Sequence, residues 1–180
     1  MKAYKVSTIV LLMFIVVVSL CLTPSLSFCA NKTWYVSAAM VNDEGDGASW
    51  STASKKIQTA IGKATGGDTV IVRAGTYNEY NISYGGLAIT VQAEYIDNPE
   101  CEGTPACIEG AESYIAQSNG GNTVFLFTSG EYSSSVLQGF TIRNGEGSTG
   151  GGIKVRSSST EATSPTIKNC IIRDNNTTMP

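Results

Sequence analysis

Two stretches thirty positions apart, GFTIRNG at 139–145 and NCIIRDN at 169–175, carry an arginine at the same point of each, Arg143 and Arg173. A guanidinium is permanently charged and offers a planar fork of donors that matches a carboxylate. On equivalent outward positions the two would form a basic ladder able to bind an acidic polysaccharide. As structure alone they are solvated positions of two equivalent strands, where like charges repel mildly. A second constellation is NDEGDG, in which Asp43, Glu44 and Asp46 could hold Ca²⁺, an ion that takes six to eight oxygen ligands. The spacing lacks the full EF-hand pattern, and a plain acidic turn is the favoured reading. Tyr77, Tyr80 and Tyr84 could offer stacking surfaces to sugars or pack the beginning of the fold. Histidine is absent, which excludes Ser-His and Cys-His nucleophile systems and histidine-ligated zinc.

The chain around these residues reads as an exported protein. Lys2 and Lys5 precede an apolar stretch from Ile9 to Leu22, followed by Pro24 and a serine-rich segment, the layout of a secretory signal peptide over residues 1–30. The small residues Ser25 and Ser27 suit cleavage after Ser27; cleavage after Ala30 is the alternative. Loss of Lys2 and Lys5 leaves ten basic residues against fifteen acidic ones, a net charge near −5, which argues against nucleic acid as a partner. No membrane association is expected once the signal is cleaved. Cys101 and Cys107 bracket a Gly/Pro loop that could close as a small disulfide in an oxidising compartment, whereas Cys170, inside an apolar run, reads as a small buried hydrophobe. Asn31, Asn81 and Asn176 each begin a glycosylation pattern that matters only in a eukaryotic host.

The elements expected to position these residues are one helix and many short strands. Ile57, Ala60, Ile61 and Ala64 fall at i, i+3, i+4 and i+7, predicting an amphipathic helix over about 54–65, with Thr52 or Ser54 as N-cap and Gly66-Gly67 as the stop. Afterwards, runs of Val, Ile, Phe and Thr bounded by Gly, Asn and Ser predict strands with few hairpin signals between them. A three-beat rhythm assigns TVIVR, ACIEG, FTIRN and CIIRD to one face. NIS, TVFLF and GGIKV fall on a second, and LAITVQ, SVLQG and PTIKN on a third. Alternation along a strand then turns Phe140, Ile142, Cys170 and Ile172 inward and Thr141 and Arg143 outward. Asn144 and Asp174 read as turn formers. Internal periods of this size predict stacked coils.

The phrase WYVSAAMVNDEGDGASWSTASKKIQTAIGKATGGDTVIVRAGTYNE resembles the N-terminal cap of the pectin-lyase-like superfamily, and GFTIRNG, GGGI and SPTIKNCIIRDN are similar to its coil phrases. The resemblance implies an all-β fold, a right-handed parallel β-helix (solenoid) with a capping amphipathic helix. Residues 31–69 would be the cap and 70–180 the first coils, incomplete at the C-terminus. That superfamily includes lyases, hydrolases and non-enzymatic surface proteins, so fold alone does not decide activity. The expected function is a secreted or surface-exposed domain that binds polysaccharide or a cell-surface glycan without catalysis. The alternative is a pectate-lyase-like enzyme performing calcium-assisted β-elimination on uronate polymers, its active coils beyond this chain. No pair of strand carboxylates suited to glycoside hydrolysis is visible.

Overall fold

The computed structural model describes residues 30–94, 113–116, 123–157 and 162–177. The signal peptide and the Cys101–Cys107 loop lie outside the described residues, apart from Ala30. The elements in chain order are β1 (Thr33–Val36), a 3-10 turn (Trp50–Thr52), α1 (Ile57–Lys63), β2 (Thr69–Val72), β3 (Gly75–Tyr77), β4 (Ile82–Ser83), β5 (Thr90–Ala93) and β6 (Ser113–Ala116). They continue with β7 (Phe125–Phe127), β8 (Val136–Gln138), β9 (Thr141–Arg143), β10 (Glu146–Gly147), β11 (Ile153–Val155), β12 (Thr166–Lys168), β13 (Ile171–Ile172) and β14 (Asn176–Thr177).

Among the described residues every strand pairing is parallel, and the strands sort into four sheets: β1-β2-β5-β8-β12, β3-β6-β9-β13, β4-β7-β11 and β10-β14. The expected right-handed parallel β-helix is corrected by this arrangement. The described strands form several small separate parallel sheets, and neither a solenoid nor a closed barrel is found among the described residues. The strands are only two to four residues long, and residues in left-handed backbone conformation interrupt the ladders between them. Asn81, Asn144, Asn169 and Asp174 have φ of 53°, 57°, 53° and 55°, a region that Asn and Asp tolerate better than most side chains. The turn-forming role expected of Asn144 and Asp174 therefore has a backbone cause.

Two of the three expected strand groupings match observed sheets. IS, FLF and IKV pair as β4-β7-β11, and TVQA, VLQ and TIK as β5-β8-β12. The third differs, because TVIV belongs with β1 and β5 rather than with the FTIRN and CIIRD strands. The strand omitted from the rhythm is GTY, β3, which displaced TVIV by one beat. Gly75 hides this strand from a propensity reading, yet a Cβ there would lie 3.3 Å from the Ala38 Cβ, a close approach that favours glycine. ACIEG lies outside the described residues, and the strand between β3 and β9 is β6.

Inward positions of the sheets supply the core. Val70, Val91 and Leu137 align across β2, β5 and β8, each fully buried. Phe125, Phe127, Phe140 and Tyr84 fill the space between sheets, Tyr84 meeting Phe127 edge-on at 4.9 Å and Phe125 stacking on Phe127 at 6.3 Å. Burying side chains of this size contributes about 1.5–3 kcal/mol each.

The expected stripe of α1 is borne out, with Ile57, Ala60, Ile61 and Ala64 all buried. Its start is supported differently from the expectation. The N-cap is Lys56, without a side-chain cap bond, and neither Thr52 nor Ser54 serves. Glu79 reaches across instead, its two oxygens accepting from the Ile57 N–H at 2.7 Å and the Gln58 N–H at 3.1 Å. No helix among the described residues is long and apolar enough to cross a membrane.

Candidate functional site

Strands β9 and β13 set the two arginines. Ile171 pairs with Thr141 and Ile172 with Ile142, and the Arg173 N–H donates to the Ile142 carbonyl at 3.1 Å. The thirty-residue echo is thus a true register, with Arg143 and Arg173 following equivalent residues of neighbouring strands, whose spacing is ~4.8 Å. Arg143 is half-buried. Arg173 is half-exposed, its Nη1 3.4 Å from the Asp174 carboxylate. An exposed ion pair of this kind contributes about 0–1 kcal/mol.

The parity expected around them holds in part. Phe140 and Ile142 are fully buried, but Thr141 is buried too, despite its expected outward position. Cys170 packs against the core, and burial pushes its thiol pKa up, so it is no activated nucleophile. Ile172 is 52 % exposed although it aligns with buried Ile142, because β13 is the outermost strand of its sheet.

The acidic loop is assembled for structure. Asp43 accepts from the Lys55 N–H at 2.6 Å, the Lys56 N–H at 3.2 Å and the Thr59 hydroxyl, which places it beside the start of α1. Glu44 accepts from the Asn42 amide at 2.9 Å. Asp46 accepts from the Ala48 N–H at 2.9 Å, and hydrogen bonds from the Thr52 hydroxyl and this N–H hold its carboxyl below the usual range. The three carboxylates therefore serve different partners. No group of three metal-ligating side chains occurs among the described residues.

The tyrosines divide as well. Tyr77 is buried, its hydroxyl donating to the Arg73 carbonyl at 2.9 Å and accepting from the Ala38 N–H at 3.1 Å, and burial pushes its pKa up to about 12. Tyr84 is buried and donates to the Val136 carbonyl at 2.9 Å. Of the three, only Tyr80, 53 % exposed, presents a ring to solvent.

Several polar residues central to this framework were not singled out from the sequence. Asp68, 1 % exposed, accepts from the Lys32 N–H (2.8 Å), the Trp34 indole N–H (2.9 Å), the Thr65 N–H (2.8 Å) and the Thr65 hydroxyl (3.1 Å). Burial would push its carboxyl up, but these bonds outweigh it and hold the pKa at about 2. Glu131, fully buried, accepts from the Gly86 and Ser129 N–H groups. Asn175 bridges two passes of the chain: its oxygen accepts from Gly145 N–H, and its amide donates to the Ile142 and Arg173 carbonyls. The hint for Asp68 was its place after Gly66-Gly67, where the chain leaves the helix. For Glu131 and Asn175 the local sequence offered none.

A further cluster lies on the five-stranded sheet, where the Arg73 guanidinium sits 4.0 Å from the Trp50 ring centroid, Trp50 meets Tyr35 edge-on at 4.7 Å, and Arg73 pairs with Glu94 at 3.2 Å. These contacts satisfy one another. No family model, curated protein or solved structure matches this chain.

Proposed function

We propose that this is an exported, non-catalytic domain that binds an acidic polysaccharide through Arg143 and Arg173. The observation that carries the reading is the register of β9 on β13, in which Arg143 and Arg173 each follow directly on paired Ile142 and Ile172 of neighbouring strands. The charge distribution supports it. Residues 31–131 hold five basic and twelve acidic residues, whereas residues 132–180 hold five basic (Arg143, Lys154, Arg156, Lys168 and Arg173) and three acidic. A polyanion is attracted to such a region from a distance set by the Debye length, ~10 Å at 0.1 M salt. The apolar stretch behind Lys2 and Lys5 supports export.

The test is titration calorimetry of the full chain with polygalacturonate and with a neutral glucan of similar length. Binding to the polyuronate that weakens about tenfold or more in R143A/R173A, and weakens further with salt, is the expected result. Equal binding of both polymers, or no effect of the double substitution in a folded variant, would overturn the reading. Release of an unsaturated, ultraviolet-absorbing product that disappears with a calcium chelator would replace it with the lyase alternative.

A further inference from the structure

We draw no further inference here: the strongest candidate, the apolar end of the core where Val155 and Ile172 stand half-exposed on the outermost strands of their sheets, carries nothing because nothing in the structure shows what covers it.

Discussion

Replacing Asp68 by Asn tests whether one carboxylate fastens the beginning of the fold. The side chain ties Lys32 and Trp34, at the start of β1, to Thr65, where the chain leaves α1, through four hydrogen bonds to two oxygens. All four donors point at an ionised acceptor. Three of the donors meet Oδ2 and one, the Lys32 N–H, meets Oδ1, so an amide of the same shape turns its NH₂ toward at least that one donor, and the other three bonds lose their charged acceptor. With bonds to a charged group contributing about 1.5–3 kcal/mol each and some relaxation, the expected loss at pH 7 is about 2–4 kcal/mol.

The pH dependence makes the test specific. The folded pKa of about 2 lies below the ordinary 3.8, so this carboxylate's contribution is full above about pH 4 and is lost as pH falls through 2. At 1.36 kcal/mol per pKa unit, the fall from 3.8 to about 2 amounts to about 2 kcal/mol. Urea unfolding followed by tryptophan fluorescence measures it. The stability gap between wild type and D68N should narrow by that amount between pH 7 and pH 2, other titrating groups cancelling in the difference. A gap that stays constant across this range would refute the assignment of the stabilisation to the ionised carboxylate.

Glu79 should behave in the opposite sense. Burial raises its pKa, against the bonds from Gln58 and Ile57, so its contribution is greatest below the unfolded value and is lost as pH rises through the folded one. Wild type should therefore gain stability relative to E79Q between pH 7 and pH 4, as read by paired denaturation curves. Gly62, with nothing within 4 Å of where a Cβ would stand, should accept alanine and gain about 0.5–1 kcal/mol, whereas G145A would drive its Cβ into the Gly151 carbonyl and lose more than about 2 kcal/mol, both seen as shifts in the thermal midpoint. N144A should cost about 1–2 kcal/mol because alanine resists the left-handed conformation, while N144G should cost far less; equal losses in the two would assign the effect to a side-chain contact instead.

What was legible in the sequence follows from how far each signal reaches. The α1 stripe and the echo at 142 and 172 rest on local periodicity, and both appear in the structure at their expected positions. The groupings of β4-β7-β11 and of β5-β8-β12 were legible because β-branched and aromatic runs mark their strands. GTY was not, since a glycine selected by its distant neighbour Ala38 removes the strand signal. The helix cap failed for a related reason. Its acceptor, Glu79, lies more than twenty residues beyond the Ile57 N–H, so a search of the preceding turn could not find it. The solenoid expectation extended a real repeat into a continuous wall, whereas the short strands close into separate sheets. At the candidate site, the thirty-residue spacing matched the register of Ile142 and Ile172, the residues just before Arg143 and Arg173, but NDEGDG concealed that its carboxylates answer to α1, Asn42 and Ala48.

The all-parallel pairing has a consequence for how the chain reaches this state. Among the described strands the nearest paired residues, such as Thr69 and Thr90, are 21 positions apart, and others, such as Thr90 and Val136, are 46 apart. No hairpin is present among them to nucleate a sheet locally. Each ladder must await closure of a long loop, whose entropy is lost before any hydrogen bond returns it. High contact order of this kind slows folding toward milliseconds to seconds. During that interval the strand edges are open to other chains, so recovery after dilution from denaturant should fall as protein concentration rises.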